Sequence, residues 1–151
     1  MLTVWFSLTE ATKKQGCLCV IPKSHREGLL HHCPDIWGLE IPEKVYDRSA
    51  MVPIPTQAGD VLFLHKHTCH SSLQNLSNVV RWSFDLRYNP IGQASGRGAF
   101  PGFIARSRTH SAQVLTDPIV WHEMWEEARD YLATSEDPSF NRWSKDHPAC
   151  A

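Results

Sequence analysis

The sequence predicts an all-β protein, a sheet sandwich or barrel that carries one C-terminal α-helix. Three observations support that expectation. Leu2, Val4, Phe6 and Leu8 alternate with Thr3, Trp5, Ser7 and Thr9 at the period of a half-buried strand. The run VVRWSFDLRY, residues 79–88, repeats the alternation with β-branched and aromatic residues. Helical periodicity is confined to one late stretch, residues 117–132.

In chain order, the first strand gives way to the polar turn TEATKKQG. CLCVIP then reads as a short buried strand stopped at Pro22, which has no N–H for a ladder. PKSHREGLLHHCPDIWG follows as a loop rich in histidine and proline. Within AMVPIPTQAGDVLFLHKH, a turn at Ala58-Gly59-Asp60 separates two extended pieces. The strand over 79–88 places Val80, Trp82, Phe84, Leu86 and Tyr88 on one face and Arg81, Ser83, Asp85 and Arg87 on the other. GQASGRGAFPG is a glycine-rich loop without the lysine-serine ending of a phosphate cradle. Asp117 then caps a helix that begins at Pro118 and carries an apolar stripe of Trp121, Met124, Trp125, Ala128, Tyr131 and Leu132.

A chain of 151 residues is expected to form a single domain. Its 15 basic and 16 acidic residues leave a formal charge of −1, so no basic field exists to attract a phosphate backbone, and nucleic acid is not an expected partner. No window reaches the roughly 20 apolar residues of a membrane span, so no membrane partner is expected either. The cysteines number five, an odd count without paired CxxC motifs. Reduced thiols and a cytoplasmic location follow as expectations.

Chemistry concentrates in HKHTCHSSLQNLSNVVRWS, residues 65–83. On one continuous strand His65, His67 and Cys69 would share a parity that His70 lacks, so all three histidines cannot face one metal unless a bulge or strand end intervenes near Thr68. Any one of them also reads as a hydrogen-bonded or surface histidine. Arg81 says more. It lies on the polar face of a strong strand, and that face either meets solvent or lines a wet cavity. Trp5 sits likewise among Thr3 and Ser7, which suits a ligand-lined interior, and an arginine fork there suits a carboxylate.

These residues also carry a family resemblance. The runs WFSLTEATKKQGCLCVIPKSH and AGDVLFLHKHTCHSSLQNLSNVVRWSFDLRY resemble the phytanoyl-CoA dioxygenase family of Fe(II)- and 2-oxoglutarate-dependent oxygenases, over about residues 2–90. What the resemblance implies is a double-stranded β-helix of jelly-roll or cupin-like type, here incomplete, with a core over about residues 1–92 and a loop and helix over about 93–151. It further implies an oxidoreductase of hydroxylase type that uses Fe(II), 2-oxoglutarate and O2 on a small-molecule substrate. By resemblance His70 stands at an iron-ligating histidine, Arg81 at the arginine that pairs with the distal carboxylate of 2-oxoglutarate, and Ser72 and Trp5 at a hydroxyl and an aromatic ring of the same cosubstrate pocket. His25 ends the Pro22-Lys23-Ser24-His25 motif, with Lys23 where glycine is common, and His32 falls at a pocket-rim histidine. Both are assigned to the substrate side.

The same family takes its other two iron ligands from an HxD motif ahead of the tryptophan-led strand, and the sequence contains no HxD. A facial triad needs two histidines and a carboxylate, so the isolated chain is expected not to turn over 2-oxoglutarate. A fragment of an oxygenase is the preferred reading, ahead of a half that pairs with another chain and a domain that has lost catalysis but still binds. Only about five strands are recognisable against the roughly eight of a jelly-roll, so open edges make self-association an expected hazard. Readings of other classes also stand: a non-enzymatic β-sandwich binding module, and a cupin-like metal enzyme that uses His65, His67 and His70 together.

Overall fold

The computed structural model describes residues 1–36, 38–95, 98–136 and 143–151. Contacts divide the chain into two compact units, one of Met1–Tyr88 with Trp143–Ala151 and the other of Asn89–Arg142.

The first unit holds eight short strands among the described residues: β1 (Leu2–Ser7), β2 (Leu18–Val20), β3 (Cys33–Asp35), β4 (Gly38–Glu40), β5 (Val52–Ile54), β6 (Val61–His65), β7 (His70–Ser72) and β8 (Ser83–Tyr88). They form a sheet in the order β6-β1-β8, a second in the order β5-β2-β7, and the hairpin β3-β4, with every pairing antiparallel. The hairpin lies where the sequence reads as an irregular loop. Its strands are three residues long and contain Pro34 and Gly38, so neither propensity nor periodicity marks them.

The alternation in β1 is confirmed, and the side that faces inward is the polar one. Thr3, Trp5 and Ser7 are buried, whereas Leu2 is exposed and Val4 and Phe6 are only partly covered. Cross-strand register extends both faces over the whole sheet. Trp5 stands opposite Leu62 and Asp85 on the inner side, and Phe6 stands opposite Val61 and Phe84 on the outer side. The core gathers Trp5, Ala11, Cys17, Leu18 and Leu64, with Val20 and Leu62 packed against it. Burial pushes the Cys17 thiol above its ordinary pKa, since a thiolate there would lose its water.

Turn chemistry agrees with the sequence. The Asp60 carboxylate accepts from the Gln57 amide at 2.8 Å, and Gly59 takes a φ of 92° between β5 and β6. Gly16 has a φ of 75°, and a Cβ there would come within 2.6 Å of the Leu73 carbonyl oxygen, so only glycine lets the chain pass the segment that follows β7.

Two expectations need correction. Residues 65–70 are not one strand: β6 ends at His65, the Thr68 amide donates back to the His65 carbonyl, and the chain enters the other sheet at His70. The parity that would set His65 against His70 therefore does not apply. The cysteines are not all reduced either. Cys33 and Cys150 form a disulfide across 117 residues of sequence, a pairing that spacing cannot reveal, while Cys17, Cys19 and Cys69 are free and buried.

The second unit carries helix α1 (Pro118–Thr134), capped by Asp117, whose carboxylate accepts from the Ile119 amide at 2.8 Å, with proline at its start. Its apolar stripe is only partly covered. Met124, Ala128 and Leu132 are half-buried and Tyr131 is exposed, while Trp125 meets Phe100 at 5.6 Å between ring centroids. No helix among the described residues is long and apolar enough to cross a membrane.

Candidate functional site

The site is assembled from β1, β7 and the residues just ahead of β8. β7 is short because it is the rung on which the chain, having left the first sheet, pairs with β2, Val20 opposite His70 and Leu18 opposite Ser72. His70 and Ser72 are two residues apart on an extended strand and so project from one face. The buried Ser24 hydroxyl accepts from the Cys69 amide at 2.9 Å and pins the chain immediately before His70. Ser24 thus has a positioning role within a motif whose sequence reading singled out His25. Lys23, just before it, adopts a left-handed φ of 67°, which explains why glycine is the easier residue at that position.

His70 is exposed, and its Nδ1 lies 2.8 Å from the carbonyl oxygen of Thr68. A carbonyl can only accept, so Nδ1 carries the proton and the neutral ring keeps its lone pair on Nε2. A backbone carbonyl that fixes the tautomer in this way is the usual outer partner of a metal-binding histidine.

Arg81 is half-buried and reaches across strands. One terminal nitrogen donates to Ser72 Oγ at 3.2 Å, the other donates to Ser83 Oγ at 3.1 Å, and the guanidinium carbon lies 5.5 Å from the centre of the Trp5 ring. Both hydroxyls are neutral, and Arg81 has no carboxylate partner among the described residues. A guanidinium oriented by hydroxyls, backed by an indole face and left without a counter-ion is prepared for an anion.

Four of the sequence-predicted residues therefore converge: His70, Ser72, Arg81 and Trp5. His32 joins them on another side, since it lines a pocket of about 620 Å³ together with His70 and Ser72. Its ring stacks on Trp143, with centroids 4.6 Å apart. Asp35, Glu40, Tyr46 and Met51 line the same pocket. The sequence reading missed these four: Asp35 and Glu40 lie in short strands without a strand signal, and nothing local marks Tyr46 or Met51 as facing a pocket. His25 is not among the residues that line this pocket; it packs against His65 at 5.4 Å, and His65 in turn meets His67 at 5.3 Å. Arg81 lines a second depression of about 500 Å³ with Gln15, Gly16 and Asn75, connected to the first through its bond to Ser72.

The donor set suits the cosubstrate better than it suits a complete iron centre. Among the described residues, the group of three His, Cys, Asp or Glu side chains close enough to share an ion is His31, Cys33 and Cys150, and His70 is not part of it. Among the described residues, His70 has no two further side chains of these types close enough to complete a three-ligand set with it.

Comparison with known proteins gives the chain its relatives. The chain is 36% identical over 86 residues to phytanoyl-CoA dioxygenase 1 of Oryza sativa subsp. japonica, a match that covers 55% of this chain and 31% of the relative. It is 32% identical over 115 residues to the methylphosphonate hydroxylase of Gimesia maris, covering 76% of this chain and 42% of the relative. Among solved structures, EvdO2 of Micromonospora carbonacea var. aurantiaca superposes with a TM-score of 0.51 at 29% identity, covering 56% of this chain and 36% of EvdO2. The chain thus spans about a third of the length of such relatives. The phytanoyl-CoA dioxygenase family model matches residues 1–83, a stretch that contains Trp5, His70, Ser72 and Arg81. Fe(II) and 2-oxoglutarate are the cofactors that go with this family. On a match that spans more than half of its residues, this chain belongs to the phytanoyl-CoA dioxygenase family.

Proposed function

We propose that this chain carries the cosubstrate anchor and one iron ligand of an Fe(II)- and 2-oxoglutarate-dependent dioxygenase of hydroxylase type. The observation behind this reading is the Arg81 guanidinium, held by Ser72 and Ser83 over Trp5, with the open Nε2 of His70 two residues from Ser72. Arg81 binds the distal carboxylate of 2-oxoglutarate through charge-assisted hydrogen bonds. Ser72 orients the guanidinium, and Trp5 walls its inner side and keeps water from the ion pair. His70 holds iron through Nε2, and iron supplies the redox chemistry by which O2 and the 2-oxo acid are consumed. His32, in the pocket with His70, contacts the small-molecule substrate, whereas His25, which packs against His65 away from the pocket lining, is given no substrate role.

The remaining two iron ligands lie, on this reading, in a segment outside these 151 residues, because the sequence has no HxD motif. The two three-stranded sheets are then part of a jelly-roll. The exposed apolar side of β6-β1-β8 supports that view, since such a face is normally covered. The single ligand also favours a second reading, a remnant that binds 2-oxoglutarate without turning it over.

Calorimetry with 2-oxoglutarate and a redox-inert divalent ion tests the anchor. Binding should weaken by roughly 10- to 100-fold in Arg81→Met, the worth of a charged hydrogen-bonding group, and Arg81→Lys should not restore it. Unchanged binding in both variants would refute the assignment. On both readings the isolated chain should release no succinate with iron, and robust turnover would overturn both by showing that iron is fully ligated within it.

A further inference from the structure

A second cluster of ligand-type side chains lies apart from the residues assigned to iron. A ring nitrogen of His31 and the sulfurs of Cys33 and Cys150 are all within 4.8 Å of one another, and none of the three residues is fully exposed. Two short sequences supply them, HHC at 31–33 and HPAC at 147–150. The His31 Nε2 lies 2.9 Å from the Ser144 carbonyl oxygen, so Nε2 carries the proton and Nδ1 is the ring atom with a lone pair to offer. This outer-partner arrangement is the same as that of His70, built on a different carbonyl.

The surroundings hold the cluster in place. His147 stacks on His31 at 3.8 Å with the rings 9° from parallel, and Trp143 meets the His31 edge at 5.1 Å. The Lys44 ammonium donates to the main-chain oxygens of Pro148 and Ala151, which ties the 143–151 segment down. Imidazole with two sulfurs is a soft donor set that suits zinc-type divalent ions and not the oxygen-seeking ions.

We propose that Cys33, Cys150 and His31 form a redox-gated site for a thiophilic divalent cation. In the oxidised form the two sulfurs are joined as a disulfide, as in this structure, and offer the ion no thiolate. A dithiol reductant delivers two electrons and two protons to the S–S bond, which breaks to two thiols while the reductant closes its own disulfide. The cation then displaces both thiol protons, binds the two thiolates and a ring nitrogen of His31, and keeps water or a neighbouring group in its fourth position. Either bond, disulfide or metal, fastens the 143–151 segment to β3.

Cobalt(II) is the probe, added to oxidised protein and to protein reduced with a dithiol that is then removed. Reduced protein should bind one cobalt per chain with sulfur-to-cobalt charge-transfer absorption, and oxidised protein should show no such band. Cys33→Ser and Cys150→Ser should each weaken cobalt binding by more than the roughly 100-fold that loss of an outer partner can cost, and His31→Ala should weaken it by at least about tenfold. His31→Ala retains both thiols, so it keeps the test valid should a cysteine variant fold poorly. His70→Ala should leave the band unchanged. A band that persists in the Cys33→Ser, Cys150→Ser double variant, through Cys17, Cys19 or Cys69, would overturn the proposal. So would reduced wild-type protein that binds no cobalt.

Discussion

The two faces of the β6-β1-β8 sheet differ in a way that reverses the ordinary rule. Its inner face holds Trp5 at 4% exposure beside the buried Thr3 and Ser7, whereas its outer face shows Phe63 at 67% and Phe84 at 50%. Hydrophobic residues are usually the buried ones, and exposed large apolar patches mark surfaces that take part in contacts. Here the polar side lies inward, where Trp5 backs the Arg81 guanidinium, and buried hydroxyls there have hydrogen-bonding work to do. Ser7 Oγ, for example, donates to the Thr9 carbonyl at 2.6 Å. Alternation therefore identifies two faces without saying which one is the interior.

Substitution on each side tests that contrast, and the largest difference should come from the pair Trp5→Ala and Phe63→Thr. Removing the buried indole should cost about 3–5 kcal/mol, while the exposed phenyl should be worth no more than about 0.5 kcal/mol. Urea unfolding midpoints read both, and equal losses would mean that the two faces are not differently buried. Gly16→Ala should come next, at about 2–3 kcal/mol, because it combines a left-handed φ with a close approach to the Leu73 carbonyl. That variant should also loosen the segment after β7 and weaken 2-oxoglutarate binding along with stability; a binding constant left at the wild-type value would detach Gly16 from the site. The smallest effect has the opposite sign. Lys23→Gly should stabilise by about 0.5–1 kcal/mol by relieving the left-handed backbone, and a loss of stability would show that Lys23 makes a compensating contact.

Much of this was legible beforehand. β1, β2, the turn at Gly59, and α1 with its Asp117 cap lie where period, turn residues and capping chemistry put them. Arg81 and Trp5 could be chosen because the strand pattern sets them on polar faces, although β8 begins only at Ser83 and leaves Arg81 just ahead of it, whereas His70 and Ser72 were legible through the family resemblance. The β3-β4 hairpin could not, since strands of three residues with proline or glycine carry too little pattern to register. Asp35 and Glu40 lay hidden in that same stretch, and they line the pocket with His70. The role of Ser24 was missed for a different reason. A serine that accepts one backbone N–H across 45 residues looks locally like any other loop serine.

Local chemistry, by itself, determined what depends on neighbours within a few residues: strand period, helix cap, turn, and a histidine and arginine set apart by a readable distance. Tertiary structure decided everything that requires distant segments to meet. It placed the polar face of β1 inward, split residues 65–70 between two sheets, set Arg81 between Ser72 and Ser83 over Trp5, and brought Cys150 to Cys33 and His31. The reason is physical. Period and propensity act through the backbone over one or two turns, but burial and hydrogen-bond partnership depend on which surfaces meet, and that follows only from the packing of the whole chain.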